Sequence, residues 1–313
     1  MRFYSMKRGT NIAERWVVRM MTLWLMLTLL ETKAQDSCSV SMYWAVPTLI
    51  NPATAGKDTA LHITAYGRKQ WVGMDTSPQT YFVAADMPFK VKKAKMGVGI
   101  SMQNSKTDLT KANVLAIQYA YSTKLWGGQI AIGLQAGKIE QTLKTSSEKT
   151  STSVDLAAGL YYHRSFGKGQ AYAGLSATHL NEASVTIDTI STFQQKRTYY
   201  FLVGGNIPTR NTLLIIQPSL LLKANGTATT IDCTLRATYN RRYWGGVSYR
   251  YDDGVVVMAG ADIKAFRIGY AYDIGTSGDA KHSKGSHEVM LSYLMKINLD
   301  KKKRAPQKSI RLL

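Results

Sequence analysis

The chain has 313 residues, of which 45% are hydrophobic and 19% charged, so it is neither a disordered polymer nor a coiled coil. Glycine (25) and tyrosine (18) are abundant, proline (7) is scarce, and two cysteines make no disulfide framework. Forty basic against twenty acidic residues leave a net charge of +20, which fits solvated loops or an anionic partner: nucleic acid, lipopolysaccharide or an acidic protein.

Basic residues at the N-terminus (Arg2, Lys7, Arg8, Arg15, Arg19) precede an apolar run from Met20 to Leu30, then Thr32-Lys33-Ala34. That order reads as a secretory signal peptide over residues 1–34. A membrane anchor is the rival, but eleven residues rise only ~16 Å as a helix and a bilayer core is ~30 Å thick. Cleavage removes six basic and two acidic residues, leaving the mature chain near +16. Export also takes the protein away from nucleic acid. Cys38 and Cys233 lie far apart with no CxxC neighbour, and both are read as unpaired.

From about residue 59 the pattern alternates with period two. Leu115, Ile117, Tyr119 and Tyr121 interleave with Ala116, Gln118, Ala120 and Ser122, and Ile130, Ile132, Leu134 and Ala136 with Gln129, Gly133, Gln135 and Gly137. Ile231–Asn240 and Phe266–Asp273 repeat it. Alternation sends one set to an apolar surface and the other to a polar one.

Fourteen strands are predicted near 59–67, 78–89, 95–104, 112–124, 128–141, 152–165, 169–179, 197–207, 212–224, 228–241, 243–251, 254–262, 265–274 and 285–299. Trp126-Gly127-Gly128, Gly167-Lys168-Gly169, Asn225-Gly226 and Asp252-Asp253-Gly254 supply turn chemistry between them. Pro218 has no N–H for a ladder, and a bulge is expected there.

Connections alternate between long and short, the asymmetry of an all-β outer-membrane barrel with extracellular loops and periplasmic turns. A soluble sandwich has no reason to do this. An even strand count places both chain ends on the periplasmic side. Tyr121, Tyr162, Tyr249, Tyr251, Tyr270 and Tyr272 fit an interfacial girdle, and the lipid bilayer is the first partner. Asp155, His163, Asp232, Arg236, Arg250, Arg267 and Asp273 are expected to face the lumen. The organisation is then a signal peptide (1–34), a periplasmic N-terminal segment with room to fold inward as a plug (35–58), a barrel (59–299) and a basic periplasmic tail (300–313).

No catalytic constellation emerges. His62, His163, His179, His282 and His287 have no metal-binding spacing, and Ser286-His287 point to opposite faces of a strand. No Walker loop or dinucleotide fingerprint is present, so no cofactor and no enzymatic activity are expected.

Certain words are more specific. Asn51-Pro52-Ala53-Thr54-Ala55-Gly56 precedes the first strand, and Arg68-Lys69-Gln70-Trp71-Val72-Gly73 follows it, leading to Ser77-Pro78-Gln79-Thr80. Near the end come Gly269-Tyr270-Ala271-Tyr272-Asp273 and Gly285-Ser286-His287-Glu288-Val289-Met290-Leu291. In this order the words resemble the PorP/SprF family of type IX secretion outer-membrane proteins, whose members read NPAYAG, RxQWVGxxGAPxT, GYAYD and GSHEIML. Thr54 departs from the usual aromatic, Thr76-Ser77 stands where Gly-Ala is common, and the C-terminus lacks the family's proline and terminal aromatic.

The resemblance implies a non-enzymatic outer-membrane component that supports export or surface anchoring of a partner protein such as a gliding adhesin. Its implied partners are the type IX translocon, periplasmic ring proteins and the secreted cargo. Asn51, Pro52, Gly56, Arg68, Gln70, Trp71, Gly73, His287 and Glu288 are the partner-binding candidates. Arg68 and Trp71 are placed in the first long loop, where a Trp/Arg pair suits either a binding hot spot or an interfacial anchor. Lys301-Lys302-Lys303-Arg304 reads as a solvated stop, or as docking to an acidic periplasmic partner. A porin or small-solute transporter is the alternative, with residues 180–196 long enough for an inward loop.

Overall fold

The computed structural model describes residues 40–297 except 76, 93, 145–147, 183, 187–191, 227, 278–279 and 282. The strands are β1 (Ala60–Lys69), β2 (Gln79–Val91), β3 (Ala94–Lys106), β4 (Thr110–Leu125), β5 (Gly128–Lys144), β6 (Glu148–Phe166) and β7 (Gly169–Thr178). A short hairpin of β8 (Ser184–Thr186) and β9 (Thr192–Gln194) follows. Then come β10 (Thr198–Pro208), β11 (Leu214–Ala224), β12 (Thr229–Tyr239), β13 (Tyr243–Arg250), β14 (Gly254–Ile263), β15 (Phe266–Gly275) and β16 (Ser286–Lys296).

All but the β8–β9 hairpin form one closed antiparallel barrel of fourteen strands. It closes by pairing β1 with β16, from Ala60↔Lys296 to Lys69↔His287. Closure removes the unpaired edge that hydrocarbon would not tolerate. No described helix is long and apolar enough to cross a membrane; the strands do the crossing.

The alternation resolves as expected. Ile117, Leu134, Leu235 and Val289 are about half exposed or more on the outer wall, whereas Gln118, Asp155, Asp232 and Glu288 are buried in the lumen. The girdle tyrosines Tyr121, Tyr249, Tyr251 and Tyr270 are exposed, and Cys233 lies exposed on β12. The expected signal peptide, Cys38 and the basic tail lie outside the described residues.

The two ends of the barrel differ. One carries the turns 92–93, 126–127, 167–168, 209–213, 240–242 and 264–265, and will be called the turn end. The loop end carries the described residues of 70–78, 107–109, 179–197, 225–228, 251–253 and 276–285. The expected long connections after β3 and β5 prove mostly strand, because β4, β5 and β6 run to 16, 17 and 19 residues. About 9–11 residues suffice to cross. The outward face of β5 accordingly changes from Ile130, Ile132, Leu134 and Ala136 to Lys138, Glu140, Thr142 and Lys144.

The expected bulge at Pro218 is absent. Register with β12 runs through Pro218↔Leu235 without a shift. With β10 the same register holds on both sides of a two-residue gap, from Gly204↔Ser219 to Ile207↔Ile216. The missing N–H interrupts the ladder and does not displace it. Beside the gap, Gln217 Nε2 donates to Asn206 Oδ1 at 2.7 Å.

A closed ladder of this kind resists detergent until heated. The unboiled protein should therefore migrate differently from the boiled protein in an SDS gel. Identical mobility with a helical far-UV spectrum would contradict the barrel.

Candidate functional site

The residues before β1 run inside the barrel. Val40 lies near the loop end, and the chain descends the lumen to enter β1 at the turn end. Two short turns shape it, a single-turn helix at Pro47–Ile50 and a 3-10 turn at Pro52–Thr54. Both begin with proline, whose fixed φ suits a first helical position and whose missing N–H is not needed there.

Asn51 joins the two turns. Its Oδ1 accepts from Ala53 N at 2.9 Å, capping the 3-10 turn. Its Nδ2 donates to Leu160 O on β6 at 2.8 Å and reaches Leu175 O on β7 at 3.3 Å. Thr54 Oγ1 donates to Asn51 O at 2.7 Å, which gives the residue that replaces the family's aromatic a buried place. Gly56 takes φ +62 and donates its N–H to Asp86 Oδ2 at 2.8 Å as the chain turns into β1.

This segment fits because the facing wall lacks side chains. A Cβ at Gly133 would collide with the Pro52–Ala53 backbone, one at Gly97 with Ala55, and one at Gly159 with the Asn51 side chain. These lumen-facing glycines make a groove that the NPATAG word fills.

Higher up, Met42, Ala45 and Val46 pack against lumen-facing Tyr66, Phe82, Trp244, Val256, Met258 and Met290. Tyr43 Oη bonds to Ser219 Oγ at 2.8 Å and to Thr234 Oγ1 at 3.1 Å. Trp44 meets Trp244 edge-on at 4.8 Å, and the Arg236 guanidinium stacks 3.5 Å over the Trp44 ring.

The loop-end anchor of the segment is ionic. Ser41 N and Met42 N donate to Glu288 Oε1 and Oε2 at 2.9 and 3.0 Å. Ser41 Oγ accepts from Arg250 Nη2 at 2.9 Å and from Arg68 Nη1 at 3.1 Å. Arg68 pairs with Glu288, and with Asp273 at 2.8 Å. Arg250 pairs with Asp232 at 2.8 Å and with Asp273 and Asp253 at 3.0 Å. Arg68, Arg250, Asp232, Asp273 and Glu288 are each at most 5% exposed. Five charged groups from β1, β12, β13, β15 and β16 thus converge on one serine. Each carboxylate has at least one buried guanidinium partner, as burial of charge requires.

Above the segment lies a vestibule of about 430 Å³ at the loop end. Its wall carries a directional hydrogen-bond chain. Gln118 Nε2 donates to Ser101 Oγ (2.6 Å) and Gln135 Oε1 (2.9 Å), and Gln135 Nε2 reaches Asp155 Oδ2 at 3.4 Å. His179 Nδ1 closes the chain on Asp155 Oδ1 at 2.7 Å. Residues 194–196 line the same space. Among the described residues no cluster of three or more His, Cys, Asp or Glu could hold a metal ion.

The candidate residues divide sharply. Asn51, Pro52 and Gly56 are buried in the lumen. Arg68, expected in the first long loop as an exposed partner of Trp71, is instead a β1 residue only 3% exposed. Its even position on β1 turns it inward, to the two carboxylates. Glu288 is fully buried opposite it, and Gln70 is buried just beyond β1. Trp71 stays half-buried in the loop, with N–H to Ser286 Oγ at 3.2 Å. Val72 N to Gly285 O (2.8 Å) and Lys284 N to Val72 O (2.7 Å) staple this loop to residues 276–285, beside Gly73 at φ +93. The 68–73 and 285–288 words therefore meet in space. His287 faces the outer wall, where Tyr270 Oη and His287 Nδ1 lie 2.6 Å apart. Asp155, His163, Asp232, Arg236, Arg250, Arg267 and Asp273 all sit at lumen-facing positions, as expected.

Among solved structures, the chain is similar to the Ralstonia pickettii toluene transporter TbuX, with TM-score 0.55, 10% identity, and coverage of 81% of this chain and 94% of that one. The Pseudomonas putida toluene transporter TodX gives TM-score 0.49 at 10% identity, covering 85% of this chain and 96% of that one. At such identity the TbuX likeness speaks for the outer-membrane barrel fold alone. No curated protein matches by sequence. A family model, "Type IX secretion system membrane protein PorP/SprF", matches residues 32–293. The words that meet at the loop-end latch and fill the glycine groove fall within that match, and the chain belongs to the PorP/SprF family of type IX secretion system membrane proteins.

Proposed function

We propose that this protein is a plugged, non-enzymatic barrel of the outer membrane that supports export or surface anchoring of a partner protein, such as an adhesin, by the type IX system. The observation that carries the reading is the lumen itself. Residues 41–56 occupy it, fixed at the loop end by five buried charges and lower down by the glycine groove. A barrel so filled serves as a platform better than as a pore. In this reading residues 1–34 are the cleaved signal peptide, the turn end and the basic tail 300–313 face the periplasm, and the loop end with Trp71 and Gly73 faces outward to the cargo. Asn51, Pro52, Gly56, Arg68 and Glu288 then act by shaping the platform and not by touching a partner.

Two measurements test this together. Purified protein in planar bilayers should be nearly silent, and deletion of its gene should leave one large surface protein inside the cell while the general envelope is preserved. Wild-type conductance with an unchanged surface proteome would favour the solute-transporter reading instead.

A further inference from the structure

We infer that the turn end is a docking surface for the acidic face of a soluble protein. This rests on the reading above only for the compartment in which that partner is met. The excess positive charge is not spread evenly over the molecule. Among the described residues the turns hold six basic residues and no acidic one, whereas the loops hold four basic and five acidic. Five of the six turns carry exposed lysine or arginine, namely Lys92, Lys168, Arg210, Arg241, Arg242 and Lys264. The sixth carries Trp126, 80% exposed.

The backbone argues that these residues are kept for a purpose. Lys92 (φ 55), Trp126 (φ 47), Arg241 (φ 51) and Lys264 (φ 56) occupy left-handed positions of tight turns. Glycine or asparagine would sit there with less strain, so solubility alone does not account for a large side chain at each. Exposed Trp126 with Arg210, Arg241 and Arg242 supplies the residue types enriched at binding surfaces, and the lysines add charge.

Lipid headgroups are the competing occupant, since a basic rim also suits a membrane interface. One feature favours protein: the basic charge continues into the lumen mouth. There the Arg236 guanidinium stacks on the Trp44 ring inside the barrel wall, a position lipid cannot reach.

The test uses the full protein in phosphatidylcholine nanodiscs, with a fluorescent ten-residue polyglutamate peptide as probe. Replacing Lys92, Lys168, Arg210, Arg241 and Lys264 by asparagine, which tolerates left-handed φ, should weaken binding about tenfold by removing several exposed pairs. A control set at the loop end (Lys106, Lys111, Lys138, Lys144 and Lys284 to asparagine) should change it little. Wild-type binding should also fade with salt, as the Debye length shrinks from ~10 Å at 0.1 M to ~3 Å at 1 M. Equal loss in both sets, or none in the turn set, would overturn the proposal. So would loss of peptide binding when phosphatidylglycerol is added to the nanodisc, which assigns the rim to lipid. A cysteine at position 168 should stay unlabelled by an impermeant reagent in whole cells. Labelling there, with peptide binding intact, overturns the compartment and leaves the surface standing.

Discussion

Replacing Arg250 with alanine should destabilise the folded barrel by about 3–5 kcal/mol, the cost of stranding buried charge. Arg250 touches Asp232, Asp253, Asp273 and Ser41 at once, and is 1% exposed. Its loss leaves Asp232 without that partner and Asp273 with Arg68 alone. Glu288→Gln should be milder, about 1–3 kcal/mol, because an amide still accepts one of the N–H groups of Ser41 and Met42. The measurement is the urea midpoint at which the heat-modifiable form disappears, taken in one detergent. The order Arg250→Ala below Glu288→Gln below wild type is the expected result. An Arg250→Ala midpoint equal to wild type would mean that the five charges hold nothing.

The barrel was legible because period two recurs through most spanning strands, and a slip of one residue would expose the wrong face to lipid. Asp232, Arg236, Arg267 and Asp273 were placed in the lumen by parity alone. The sequence alternation stops at residue 67 and leaves Arg68 to a loop, whereas β1 runs two residues further, to Lys69. Parity applied to Tyr66 would have turned Arg68 inward as well. The apolar lumen wall was also hidden. Val255-Val256-Val257-Met258 reads as a continuous apolar run, the mark of a strand covered on both faces. Its cover is the N-terminal segment, which lacks any period of its own. The latch was out of reach, because Ser41 meets Glu288 across 247 residues and no local pattern encodes that pairing. The motif words marked the right places but not their role. Residues that look like a recognition surface in one dimension turn out to be packing instructions for the lumen.

That role gives the sharpest test of the plug. Gly133→Leu should expel the middle of the N-terminal segment while the barrel stays assembled. Gly133 faces inward on β5, and its added side chain would occupy the space now held by the Pro52–Ala53 backbone. A flexible side chain in that place could yield, but this backbone is fixed on both sides, by Asn51 to β6 and β7 and by Gly56 to β2. Overpacking typically costs ~1–3 kcal/mol, and losing the two Asn51 Nδ2 bonds adds about 1 kcal/mol each. A shift near 3 kcal/mol moves the equilibrium between seated and expelled segment by roughly 100-fold. The ladder itself should survive, since Gly133 pairs with Ala120 and Gly159 through its backbone. Gly67→Ala is the matched control, for its Cβ would meet only the Tyr81 ring at ordinary contact distance on the outer wall. Planar-bilayer recordings should therefore turn from silent to conducting for Gly133→Leu and remain silent for Gly67→Ala, with unchanged heat-modifiable mobility in both. A silent Gly133→Leu barrel would mean that the segment is not what closes the lumen, and the platform reading would lose its support.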